Sequence, residues 1–385
     1  MRILKLIPFV AAIAFAACKK EKTNSTTETE NCTVVRGASS GTIIDGQYIV
    51  AYNPGTGSRT SAKSMEALGV SILEQHDIRS SALQSSFGGD MGGFVAKLTS
   101  DEANELRNDP SISFVEPDRI VALGSCFTVV APSLVTWNIT RVGYGDGTGK
   151  TAWVLDTGID FDHPDLNVDV NRSRSFVTNV TSADDENGHG THVAGIIGAK
   201  NNTIGVLGVA SGANLVSLKV LDKDGMGKLS YIIQALAYIN NNAKAGDVVN
   251  MSLGEDVTSD VLDQQVQSTA NRGILIAIAA GNDGKQASQF SPGRANGQNI
   301  FTVSAVDSLN NFASFSNYGN DAVDYAAPGV RILSTYKDGK YARMSGTSMA
   351  APHVAGLLLL NGRNLHSSGT ALNDPDGAPD PIAMK

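Results

Sequence analysis

Three stretches of this chain carry residue types that could do chemistry together: Val154-Leu155-Asp156-Thr157-Gly158-Ile159, Asn187-Gly188-His189-Gly190-Thr191-His192-Val193-Ala194-Gly195, and Gly346-Thr347-Ser348-Met349-Ala350-Ala351-Pro352-His353-Val354-Ala355-Gly356. Taken singly, each has a bland reading: a strand-end aspartate, a core histidine, a capped core helix. Taken together they supply a hydroxyl to attack, an imidazole to take and return its proton, and a carboxylate to orient the imidazole. Ser348, His189 and Asp156 are the candidates for those roles. The third stretch predicts a helix from about Met349, capped by Thr347 or Ser348, with Pro352 in its first turn. A serine there has backbone N–H groups and the positive end of the helix dipole beside it, which suits a hydroxyl whose attack creates an oxyanion.

The elements that must position these residues follow from the apolar pattern. Beyond Cys126, apolar runs alternate with helical periodicity, as buried parallel strands require. Strands are expected at 151–155, 215–221, 248–253, 274–280 and 300–306, and helices at 190–199, 229–240 and 257–271. Asp156 and Asn282 fall at two strand ends, where sites in open α/β sheets lie. Ahead of this unit, 43–120 reads as a small α+β sandwich. Its strands are at 46–52 and 92–98 with an edge strand at 113–118, and its helices at 63–73 and from the Thr99–Glu102 cap to about Asn108.

The 385 residues are 42% hydrophobic and 18% charged, a globular balance, and the net charge of −8 argues against a nucleic-acid partner. Three cysteines are too few for a disulfide scaffold. Arg2 and Lys5 precede an apolar run over 6–17 that ends at Cys18, a signal-peptide layout too short to span a bilayer. The stretch 19–31 has no apolar residue and reads as a flexible tether. His192 lacks the glutamate of a zinc-protease helix and reads as structural, as does His353.

The three motifs, in the order Asp156, His189, Ser348, resemble those of subtilisin-like serine proteases (subtilases). That resemblance implies an α/β catalytic domain of three layers with a mainly parallel central sheet, at 126–385. It also implies that 43–120 is an inhibitory propeptide of ferredoxin-like α+β fold, clearest over 94–118. The expected activity is that of a self-processing serine endopeptidase of broad specificity. Asn282 matches the family's oxyanion donor. Gly225, Met226 and Gly227, with Ser252, Leu253 and Gly254, match segments that pair with substrate backbone. The first pocket would take its walls from Ser252 to Gly254 and from Ala279, Ala280 and Gly281, with Asp283 and Glu255 at its rim. No cofactor is required for the chemistry. Many subtilases bind structural calcium, for which 373–380 is a candidate loop and a solvated acidic tail the alternative. No metal ligands are assigned.

Phe15-Ala16-Ala17-Cys18 resembles a bacterial lipobox. It implies a signal peptide over 1–17, lipidation of Cys18 and a polar tether over 18–42. The implied setting is extracytoplasmic, anchored or secreted, with polypeptide substrates, the propeptide as inhibitor and a monomeric enzyme. Cys32 and Cys126 would be left to pair. Two other readings compete: a non-catalytic surface lipoprotein that keeps the fold, and a serine esterase. The intact set of four site residues disfavours the first; chain order and the lack of a Gly-x-Ser-x-Gly elbow disfavour the second.

Overall fold

The structure is a computed structural model that describes residues 40–53, 62–89, 91–123, 126–129, 134–254 and 256–385. The signal peptide, Cys18, Cys32 and Glu255 lie outside the described residues, as does the tether up to residue 39.

The N-terminal unit comprises β1 (Ile43–Tyr52), α1 (Ala62–Gln75), β2 (Leu83–Phe87), β3 (Gly93–Lys97), α2 (Ser100–Leu106) and β4 (Ile112–Ala122). Thr99 and Glu102 close the expected capping box at α2. Alternation along β1 and β3 serves two cores at once. Val50, Tyr52, Phe94 and Ala96 pack on the unit's own helices. Ile49, Ala51 and Val95 face the other way, onto Leu229, Ile232, Ile233 and Leu236 of the following domain. The strand expected at 113–118 is not an edge. It runs on to Ala122 and lies between β1 and a strand of the catalytic unit. Gly41 and Thr42, expected in the tether, already bond to Ile120.

The second unit starts with β5 (Cys126–Val129) and α3 (Trp137–Val142), then enters its sheet at β6 (Thr151–Asp156). There follow α4 (His189–Gly198), β7 (Asn214–Lys219), β8 (Met226–Lys228), α5 (Leu229–Asn242), β9 (Val248–Met251), α6 (Asp260–Asn271), β10 (Leu275–Ala279), β11 (Ile300–Val306) and β12 (Tyr325–Pro328). A hairpin, β13 (Ile332–Tyr336) and β14 (Lys340–Ser345), leads into α7 (Thr347–Asn361), and β15 (His366–Thr370) with β16 (Pro381–Met384) ends the chain. The nine-stranded sheet runs β15-β16-β12-β11-β10-β9-β6-β7 and closes on a short strand at Arg174–Ser175. Every neighbouring pair is parallel except β15 with β16. Ala152 and Val154 of β6 pack towards α4 and α7, while Trp153 and Leu155 pack towards α5 and α6. Burial on both faces is why these strands read as unbroken apolar runs.

Candidate active site

Asp156 ends β6 and is fully buried. Its Oδ1 accepts from His189 Nδ1 at 2.7 Å and from the Thr157 N–H at 2.7 Å. The Nδ1–H tautomer this requires leaves the lone pair of His189 on Nε2, which has no hydrogen-bond partner. His189 opens α4, whose first turn lies hard against β6. A Cβ on Gly190 would sit 2.0 Å from the Gly158 carbonyl oxygen, so glycine alone allows that approach.

Asp185 was not singled out by its sequence, yet it organises the approach to His189. Its carboxylate accepts from the N–H groups of Asn187, Gly188 and Thr191 and from the hydroxyls of Thr157 and Thr191. The Thr157 hydroxyl in turn accepts from the Gly190 N–H at 2.9 Å. The available signal was an acidic turn, Asp184-Asp185-Glu186, directly before the histidine motif.

The nucleophile helix departs from expectation. It begins at Thr347, two residues early, and its cap is Gly346, with no side-chain capping bond. Thr347 bonds elsewhere, and its N–H and hydroxyl both donate to Asn282 Oδ1, at 2.8 and 3.0 Å. Pro352 therefore lies in the second turn. Lacking an N–H, it leaves the Ser348 carbonyl without its helical donor, and the Ser252 hydroxyl supplies one at 2.8 Å. The Ser348 hydroxyl donates to the Ser252 carbonyl at 3.1 Å, so the two serines lock each other.

Asn282 Oδ1 is thus an acceptor from two groups of Thr347, and the amide's donors are on Nδ2. Asn282, Thr347 and Ser348 line one pocket with Ser252, Leu253, Gly254, Ala279, Ala280 and Gly281. Asp283 lines it too, as does Asp256, which sequence reading did not place there. Gly281 holds φ at +104°, and a Cβ there would meet the Asn317 amide at 2.3 Å.

β8, expected to pair with substrate, is already paired. Ala122, Val121 and Ile120 of β4 pair antiparallel with Met226, Gly227 and Lys228, and the Leu123 N–H donates to the Gly225 carbonyl at 3.0 Å. Beyond the pocket the chain pairs again: Cys126 lies opposite Ser345 and Val129 opposite Ala342 in the β5–β14 ladder. Thus the chain is held by backbone pairing up to Leu123 and again from Cys126. Two carboxylates of β4 also reach helix starts. Asp118 accepts from the Ser230 N–H and hydroxyl, and Glu116 accepts from the Ser259 hydroxyl.

His192 and His353 are held by the fold's own groups. His192 Nε2–H is shared between the Ile332 and Ala342 carbonyls, both at 3.0 Å, and burial pushes its pKa down to about 3. His353 donates from Nδ1 to the Met349 carbonyl and accepts at Nε2 from Asn138, with a pKa pushed to about 4 by burial. In the candidate calcium loop, Asp374 accepts from the N–H groups of Asp376 and Asp380, and Asp376 accepts from Ala378 and Asn320. Asp380 accepts from the Ser304 hydroxyl, and its Oδ1 has no partner. Among the described residues no three His, Cys, Asp or Glu side chains gather as a metal site.

Comparison with known proteins agrees with this geometry. Residues 147–367 match the subtilase family (peptidase S8), and residues 47–124 match peptidase inhibitor I9. M-protease of Shouchella clausii (strain KSM-K16) is 44% identical over 271 residues, spanning 69% of this chain and 67% of that protein. Thermophilic serine proteinase of Bacillus sp. (strain AK1) is 35% identical over 346 residues, 84% of this chain and 80% of its own. The crystal structure of a cold adapted subtilisin-like serine proteinase superposes with a TM-score of 0.57 at 34% identity, covering 66% of this chain and 98% of that one.

Proposed function

The chain belongs to the subtilase family, and we propose that its serine endopeptidase chemistry runs through Ser348, His189, Asp156 and Asn282. The observation that carries this is the buried 2.7 Å bond from His189 to Asp156, which leaves Nε2 without a partner, together with the pocket that Ser348 and Asn282 line. Ser348 Oγ leaves the Ser252 carbonyl and attacks the scissile carbonyl carbon while His189 Nε2 takes its proton. The imidazolium stays paired with Asp156, which keeps its charge. The oxyanion is met by the Ser348 N–H and Asn282 Nδ2. His189 returns the proton to the leaving amine, and water repeats the sequence to free the acyl group. Every group in these steps belongs to the chain itself.

The zymogen is its own first substrate. Backbone pairing with β8 on one side and β14 on the other brackets the span from Leu123 to Cys126, so the maturation cut falls there. Substrates then take the same path by strand addition to Gly225, Met226 and Gly227 and to Ser252, Leu253 and Gly254. Small walls at Ala279, Ala280 and Gly281 accept a large apolar side chain. Residues 1–17 act as signal peptide, Cys18 takes the lipid, and 18–39 tethers the propeptide outside the cytoplasm. A cut ahead of Cys126 keeps that thiol on the enzyme, where pairing with Cys32 would hold the cut product to its anchor. Equal mobility on reducing and non-reducing gels would rule that pairing out.

Intact mass of the wild type beside Ser348→Ala tests the assignment. The wild type should lose roughly its first 123 residues, the N-terminal unit that ends at Leu123, and the variant should stay whole. A variant cut like the wild type would mean that another protease matures the chain, and activity then decides. No loss of casein hydrolysis in the variant would remove Ser348 from the mechanism.

A further inference from the structure

Lys219 is the one charged residue among the largest fully buried side chains of the described residues. It ends β7 in register with Asp156 on β6. Its Nζ donates to the Thr157 carbonyl. Thr157 is the residue whose N–H holds Asp156 Oδ1 and whose hydroxyl links Asp185 to the Gly190 N–H. The nearest carboxylate oxygen, Oε2 of the exposed Glu186, is 4.0 Å away. Burial lowers the lysine's pKa, while Asp185, Glu186, Asp222 and Asp156 act the other way.

An ammonium out of water is costly to keep there. The Thr157 carbonyl could take its hydrogen bond from a neutral donor, so the hydrogen bond alone does not account for a lysine. Its surroundings do. The side chains of Asp185, Glu186, Asp222 and Asp156 put several negative charges around the ammonium, Asp156 being the one bonded to the imidazole, and His192, held neutral, offsets none of them. Negative charge beside an imidazole favours its protonated form, and a buried ammonium opposes that.

We propose that Lys219 is a positioning residue for catalysis: its buried charge offsets the carboxylates around Asp156 and so sets the lower pH limit of activity. The inference rests on the assignment of His189 as base. Coulomb interaction through the protein predicts a displacement on the order of half to one pH unit when the charge is removed. On the acid limb that is a threefold to tenfold loss of kcat/KM, with the alkaline plateau changed little.

The test is kcat/KM against pH for the mature wild type, Lys219→Met, Lys219→Gln and Lys219→Arg, using a chromogenic peptide. Met and Gln should both move the acid limb upward, Arg should leave it in place, and the displacement should persist in molar salt because the site is buried. A limb unmoved in Met and Gln, with activity lowered equally at all pH values, would make Lys219 structural only and overturn the proposal. Restoration by Gln would assign the effect to the hydrogen bond and overturn it as well. So would failure of both neutral variants to yield folded enzyme when folded beside added propeptide. If the wild type itself hydrolyses nothing, the assignment of the site fails instead, and the two failures are distinguishable.

Discussion

Asp118→Ala should loosen the inhibitory unit from the catalytic domain while leaving the site untouched. Asp118 is fully buried and accepts from the Ser230 N–H at 3.0 Å, from the Ser230 hydroxyl and from Gln47 Nε2. Ser230 stands in the first turn of α5, so the carboxylate serves as that helix's cap, supplied from another unit and favoured by the helix dipole. Hydrogen bonds to a charged acceptor contribute roughly 1.5–3 kcal/mol each. The Ser230 hydroxyl can turn to another acceptor, but the buried N–H cannot. Together these give about 3 kcal/mol, or on the order of a hundredfold weaker inhibition. The assay is the inhibition constant of the cleaved unit against peptide hydrolysis by mature enzyme. Asp118→Asn keeps one acceptor and should fall between alanine and wild type. An inhibition constant for alanine within threefold of wild type would refute the cap as a determinant of binding.

Glu116 gives the same contact a pH dependence. Burial raises its pKa from 4.5 to about 7, against a hydrogen bond from Ser259 that lowers it. The bound unit therefore holds a proton that the free unit has lost between these values, and inhibition should weaken as pH rises through about 7, by roughly 3 kcal/mol once complete. Glu116→Gln should flatten that dependence; an inhibition constant that tightens with rising pH would contradict the sign. Asn282→Ala should lower kcat with little change in KM. Loss of such a donor costs subtilisin about 10²–10³, a magnitude taken from that enzyme, and a drop under threefold would exclude Asn282 as an oxyanion donor. Met349 is fully buried next to Ser348, so oxidation to the sulfoxide forces a polar group into packed space beside the nucleophile. Peroxide should inactivate the wild type but not Met349→Ala, and unchanged activity after confirmed oxidation would refute this.

The sheet was legible because each parallel strand is buried on both faces and its apolar run had no competing period. The run 300–306 coincides with β11, and 229–240 with α5 to within a turn. Asp156 and Asn282 could be placed because they follow such runs. What escaped reading depends on contacts across sequence distance. The start of α7 was misjudged because Thr347 looks like a cap, and only Asn282, 65 residues away, shows where its hydroxyl goes. Lys219 sat in view as a charge ending an apolar strand, a pattern that requires burial with partners, but its partners come from three stretches, at 156–157, 185–186 and 222. β15 is exposed along its whole length, so His366 to Thr370 carries no alternation to detect. The continuation of β4 past Pro117 depends on β8, an edge supplied by the other unit.

The pairing of β4 with β8 within one chain changes the order of the inhibition reaction. Before the cut, β4 is delivered to β8 by the chain itself, at an effective concentration that short tethers set in the millimolar range. Dilution cannot empty the cleft. Once the junction is broken, the same surfaces meet as two separate molecules, and occupancy follows their concentration unless a second link survives. Processing should therefore be first order and indifferent to protein concentration, while the appearance of activity should depend on dilution. A disulfide or a shared membrane anchor would keep the reaction in its unimolecular regime after the peptide bond has gone.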